Sequence, residues 1–216
     1  MQDTNVIALL AVLAAGSLIP LLMIVSTSFL KISIVLMMAR SALGVQQVPP
    51  NMAIYSVALA ATIFVMAPVG YAISNNFQHS PIDTTQPGTQ IEHQLEHNLS
   101  PLTDFMQRNT SPDMIEHMNA MAQRMWPPAM TQNMQQNSVF IILPSFVLSE
   151  LQKGFEAGFL VYIPFTVIDL IVSNLLLALG MQMVSPMTIS LPLKVLLFIM
   201  VSGWTHLLDS LFYSYH

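Results

Sequence analysis

The chain has 216 residues, with six Lys and Arg against eleven Asp and Glu, no cysteine, 54% hydrophobic residues and only 8% charged ones; a typical soluble domain carries about 25% charged residues. So little charge cannot coat a water-soluble enzyme, and six cations among eleven carboxylates cannot track a nucleic-acid backbone. Without Cys there is no disulfide, thiolate metal site or Cys nucleophile, and a mean hydropathy of +0.61 points to a membrane or to very large shared interfaces.

The first apolar run, Val6 to Ala39, is interrupted by one charge, Lys31. As a straight helix it would be about 51 Å long, against about 30 Å of bilayer core. The run is therefore predicted to bend, and Pro20, which removes a helical hydrogen bond, is the natural kink (helix 6–39). Lys31 and Arg40 close the run and no base precedes it. That pattern places residues 40–51 on the cytoplasmic side, with the amino terminus and the central insert outside. Met1-Gln2-Asp3 carries no positive charge, so a cleaved signal peptide is not expected. The second run, 52–73, is free of charge and long enough to span, with Pro68 late in it.

Residues 74–138 differ in character. Asp83, Glu92, Glu96, Asp104, Arg108, Asp113, Glu116 and Arg124 give this stretch a net charge of −4. Residues 78–89 read as loop, through Pro81, Pro87 and Gly88. One helix is predicted within 90–108. A clearer one starts at Ser111-Pro112-Asp113, with a cap, a first-turn proline and an early acid, and is stopped by Pro127-Pro128. Residues 139–216 return to apolar sequence, with helices predicted at 139–156, 158–180 and 186–207. The expected class is all-α: a polytopic membrane-type protein of long bent helices and helical hairpins. Its parts are 1–73, a small polar helical insert at 74–138, and 139–216.

Four features could carry chemistry. The ionisable residues set in or beside apolar sequence are Lys31, Arg40, Glu150, Lys153, Asp169 and Lys194. A charge at bilayer depth costs about 2.5–3.5 kcal/mol on insertion scales, so such groups seek partners. Structural pairing of these groups, within or between protomers, is favoured over a proton path, with buried ionic contacts expected at Glu150, Asp169, Lys194, Lys31 and Arg40. Met114, Met118, Met121 and Met125 mark one helical face, which reads as core or partner contact. Met181 and Met183 instead sit at a turn between two spans, where flexible apolar side chains could close a constriction and still yield. Gly154 and Gly158 make a small-xxx-small pair for close helix packing. His93 and His97, with Glu92 and Glu96, have metal-ligand spacing, but no third ligand is fixed and a solvated helix face is the better reading. No phosphate-binding loop, dinucleotide fingerprint, His-Glu-x-x-His or Gly-x-Ser-x-Gly motif occurs, so neither enzyme activity nor a cofactor is expected.

Two dense blocks are more specific than any of these motifs. One is Ser28-Phe29-Leu30-Lys31-Ile32-Ser33-Ile34-Val35-Leu36, continuing through Arg40-Ser41-Ala42-Leu43-Gly44 to Val48-Pro49-Pro50-Asn51. The other includes Leu143-Pro144-Ser145-Phe146, Gly158-Phe159-Leu160-Val161-Tyr162-Ile163-Pro164-Phe165, Val167-Ile168-Asp169-Leu170, Gly180-Met181-Gln182-Met183-Val184-Ser185-Pro186 and Leu191-Pro192-Leu193-Lys194. Over residues 20–70 and 139–212 the chain resembles the FliP/SctR family, the export-gate subunits of bacterial type III secretion systems.

The resemblance implies a helical pore complex of five copies of this chain with four SctS-like and one SctT-like subunits, joined by SctU-like and SctV-like export proteins. Unfolded protein substrates would pass through it across the bacterial inner membrane, with the insert and much of the assembly on the periplasmic side. It further implies that residues 181–183 form a gasket around the pore, and that Glu150, Asp169 and Lys194 make buried ionic contacts. Where relatives often carry Met, the middle gasket position here is Gln182, whose amide is expected to make the seal wetter. The short lead before the first apolar run favours an injectisome over a flagellum. Two other readings remain: an ion- or proton-coupled small-solute transporter using Asp169, Glu150 and Lys194 as a relay, and a purely structural membrane scaffold.

Overall fold

A computed structural model of the chain describes residues 16–18, 20–45, 48–81, 88–131 and 138–215, the side chains of residues 88, 89 and 92 excepted. Helices dominate and no strand occurs among the described residues, as the composition led us to expect. They are α1 (Phe29–Ala42), α2 (Asn51–His79), α3 (Gly88–Asn109), α4 (Pro112–Met125), the short α5 (Pro128–Thr131), α6 (Val139–Ala178), α7 (Pro186–Met200) and α8 (Gly203–Tyr213). Residues 20–26, ahead of α1, are also helical.

Several element boundaries differ from expectation, each for a local reason. In the described part of the first run the helix breaks at Thr27-Ser28, and Pro20 is itself helical. The hydroxyls of Ser26 and Thr27 donate back to the carbonyls of Leu22 and Met23, at 2.7 Å each. Such back-bonding competes with the helical ladder and ends it. Residues 6–15 of that predicted helix lie outside the described residues. The second helix runs on past 73 to His79, because Ser74, Asn75 and Asn76 extend it as a polar tail.

The predicted pair 139–156 and 158–180 is a single helix, α6, of 40 residues. The charges at Glu150, Lys153 and Glu156 look like an interruption in a list of letters. On a helix they are distributed around the cylinder, and Gln152 donates to Glu156 at 2.9 Å on the exposed side. Predicted helix 186–207 is instead two helices, α7 and α8, bent by 61° at Val201-Ser202. Ser202 adopts a left-handed conformation (φ 52°). At Gly203 a Cβ would come within 2.2 Å of the Phe198 ring, so only glycine fits the corner.

The chain forms two compact units. One comprises residues 1–28 and 72–147. Its core gathers Phe105, Met106, Ile141, Ile142 and Phe146, with Phe105 and Phe146 edge to face at 5.9 Å. Asn98 is fully buried and donates to the carbonyl of Ser80 at 2.9 Å. Helix α4 starts as its sequence predicts, with Ser111 at the cap, Pro112 in the first turn and Asp113 beside it, and ends before Pro127-Pro128.

The other unit comprises residues 29–71 and 148–216. Ile32, Val35, Leu36 and Ala39 of α1 pack with Ile54, Ala58 and Ala61 of α2 and Leu207 and Leu211 of α8. A second cluster joins Ala42 and Leu43 to Phe165 and Phe198. Helices α2 and α6 are each apolar and long enough to cross a bilayer, yet only 28% and 17% of their apolar stretches are buried within the chain. At 1.5 Å per residue α6 is about 60 Å long, twice a bilayer core. So much exposed apolar surface must meet lipid or protein.

Candidate functional site: two ion pairs and an exposed methionine loop

Within the second unit, α1 and α6 meet along a stripe of small residues. Glu150, Gly154 and Gly158 recur at i, i+4 and i+8 and share one face of α6. A Cβ at Gly154 would touch Ile34 and the Lys31 Cα at 3.4 Å. At Gly158 it would come within 2.3 Å of Met38 Sδ and 2.9 Å of Met38 Cβ. The missing side chains thus set how closely α1 approaches, and the same stripe carries Glu150 onto Lys31.

Lys31 Nζ lies 3.4 Å from Glu150 Oε1, with side-chain exposures of 4% and 0%. Tyr215, just beyond α8, donates its hydroxyl to Glu150 Oε2, and Lys31 Nζ sits 3.5 Å from the centre of the Tyr215 ring. Burial, then the adjacent carboxylate, push the Tyr215 phenol above its usual range, so it remains a protonated donor. One carboxylate therefore joins α1, α6 and the segment after α8. Nothing in the Phe-Tyr-Ser-Tyr tail marks Tyr215 over the exposed Tyr213, and sequence reasoning missed it.

The second pair lies further along α6. Lys194 of α7 donates to Asp169 Oδ2 and, at 3.2 Å, to the carbonyl of Ala42 near the end of α1. The Lys194 side chain is 5% exposed and that of Asp169 45%. The sequence grouped Glu150, Asp169, Lys194, Lys31 and Arg40 as buried ionic contacts without pairing them; the structure joins Asp169 to Lys194 and Glu150 to Lys31. Arg40 meets no carboxylate among the described residues. Its Nη1 donates to the Pro49 carbonyl (3.1 Å) and to Asn51 Oδ1 (2.7 Å), tying the end of α1 to the start of α2.

Between α6 and α7 the chain turns through Met181-Gln182-Met183. The end of α6 is closed by a Schellman motif: Met181 N–H donates to the Leu176 carbonyl (2.9 Å) and Gly180 N–H to that of Leu177 (3.0 Å), with Gly180 at φ +73°. Helix α7 begins at once, with Ser185 at its cap and Pro186 in its first turn. Capped at both ends, the loop has little slack. It presents Met181 at 43% exposure and Met183 fully exposed, with Gln182 also exposed.

The remaining candidates lead elsewhere. His93 and His97 are solvent-facing, and His93 Nδ1 lies 3.6 Å from Glu96 Oε2 on that surface; the side chain of Glu92 is outside the described residues. Among the described residues no group of three or more His, Asp or Glu is placed to hold a metal ion. Of the methionine stripe on α4, Met114 and Met118 are half-buried and Met121 and Met125 exposed. It is a partly covered face rather than a core.

Residues 10–211 match the FliP family. This chain belongs to the FliP family. It is 59% identical over 203 residues to the harpin secretion protein HrpW of Pseudomonas syringae pv. syringae, across 94% of this chain and 97% of that one. The harpin secretion protein HrcR of Erwinia amylovora is similar at 57% over 203 residues, 94% of this chain and 93% of its own. Yop proteins translocation protein R of Yersinia pestis is 43% identical over 214 residues, covering 99% and 98%. The membership inferred from the sequence blocks is thus shown. In this FliP-family chain both lysine–carboxylate pairs and the methionine loop lie inside the matched span.

Proposed function

We propose that this chain is a pore-forming export-gate subunit of a type III secretion injectisome, a non-enzymatic part that conducts unfolded protein substrates across the bacterial inner membrane and holds the closed channel tight. The observation that carries this reading is the loop 180–185. A chain similar to secretion and translocation proteins presents two exposed thioethers on a short turn held by a Schellman motif at the end of α6 and by Pro186 at the start of α7. Apolar side chains held at one height in several copies would exclude water from a narrow bore, yet thioethers deform easily enough to let an unfolded chain pass.

The exposed apolar faces of α2 and α6 support assembly with sister chains: five copies, four SctS-like and one SctT-like subunits, with SctU-like and SctV-like proteins beside them. Helix α6 is too long for a single bilayer crossing, which supports placing part of the assembly on the periplasmic side. No cofactor enters this reading. The transporter alternative loses ground because Asp169, Lys194, Glu150 and Lys31 already satisfy one another inside the subunit.

Deleting residues 181–183 is expected to raise ion conductance through the assembled gate in a membrane while assembly persists. Unchanged conductance in an intact complex overturns the reading. Native mass spectrometry of the extracted complex should count five copies; a lone monomer that transports a solute would favour the transporter.

A further inference from the structure

One of the residues proposed to seal the pore, Met183, is the most exposed methionine among the described residues. Met183 is fully exposed and Met181 partly so, whereas Met106, in the core of the other unit, is 2% exposed. The loop cannot readily withdraw its sulfurs. Met181 N–H is committed to Leu176, and Val184 N–H to the carbonyl of Met181 (3.3 Å). In the proposed seal, a thioether packed edge to edge with its copies would still meet water on both faces of the ring. A small neutral oxidant reaches wherever water does.

We propose that Met183, with Met181 beside it, is an oxidation site through which peroxide loosens the closed gate; this rests on the reading of the loop as a seal. In the reaction the sulfur lone pair attacks one oxygen of hydrogen peroxide. The S–O bond forms as the O–O bond breaks, and the proton on the transferred oxygen passes to the departing hydroxide. The products are one methionine sulfoxide and one water, with sulfur oxidised by two electrons and peroxide reduced by two. The sulfoxide is polar and chiral where the thioether was apolar and pliant, so it draws water into the contact it used to exclude. Methionine sulfoxide reductases acting with a thiol reductant reverse the step, returning the thioether and water and leaving a disulfide on the reductant.

The test uses the assembled gate in lipid vesicles, titrated with hydrogen peroxide, with peptide mass mapping and ion conductance read on the same samples. We expect one added oxygen on residues 183 and 181 before Met106 reacts. Conductance should rise several-fold in step with that oxidation and fall back when the two sulfoxide reductases and a thiol are added. In Met181→Leu/Met183→Leu, which has no sulfur in the loop, the ratio of conductance after peroxide to that before should stay near one. Failure of Met183 to oxidise at doses that oxidise the exposed Met125 overturns the inference, and so does an equal rise in the double-Leu variant. The 181–183 deletion, run in parallel, separates the two levels. If the deletion conducts and sulfoxidation does not, only the oxidation site is lost; if the deletion leaves conductance unchanged, the seal itself is lost, and the inference with it.

Discussion

The two lysine–carboxylate pairs use the same chemistry in different surroundings. Lys31 and Glu150 are sealed inside, and a third residue, Tyr215, donates to the other carboxylate oxygen. Asp169 and Lys194 bridge α6 and α7 with the carboxylate nearly half exposed and the lysine also satisfying the Ala42 carbonyl. Burial removes water both as a competitor and as a rescuer. Removing Lys31 strands a fully buried carboxylate, whereas removing Lys194 leaves a carboxylate that is already nearly half exposed. The inner pair therefore acts as a lock on the fold of the subunit, and the outer one as a clasp between two helices.

Substitution should separate them by size of effect. Lys31→Met leaves Glu150 buried without its cation and is expected to cost about 3–5 kcal/mol, read as loss of folded protein in detergent unfolding. Adding Glu150→Leu should recover much of it; a double variant no more stable than the single would show that the two do not depend on each other. Gly158→Ala tests the helix approach that brings this pair together. Because both Cβ and Sδ of Met38 would be struck, the expected cost is about 2–3 kcal/mol, partly relieved in the Gly158→Ala/Met38→Ala double variant. Tyr215→Phe removes one donor from Glu150 and should cost about 1–2 kcal/mol; no change would mean that the phenol bond is idle. Lys194→Met, which leaves the half-exposed Asp169 carboxylate rather than a buried charge, should be mildest, at about 1 kcal/mol or less. Its effect should shrink further in about 1 M salt, while that of Lys31→Met persists.

The sequence was legible where a single residue dictates local geometry. Ser111-Pro112-Asp113 announced a helix start, and Pro127-Pro128 announced its stop. It was also legible where a charge in apolar surroundings demanded a partner, as at Asp169, Glu150 and Lys194. Which partner was not legible, because Lys31 reaches Glu150 only through the crossing of α1 on α6, over more than a hundred residues of chain. Tyr215 was hidden for the same reason. The continuity of α6 was missed because acids and a lysine close together read as an aqueous break, although each can take a different side of a helix. The corner at Ser202-Gly203 was missed because its cause, the Phe198 ring in the space of a Cβ, is a packing fact rather than a pattern of letters.

The double capping of the 180–185 turn has a mechanical corollary. A loop with slack could widen an aperture by paying out chain, as a drawstring does. This one has none to give, since the Gly180 motif ends α6 and Pro186 starts α7 with a handful of residues between. In the proposed gate, dilation would be made by whole hairpins tilting, as the blades of an iris swing. There the Asp169–Lys194 clasp, which ties α6 to α7, would carry the load of such tilting.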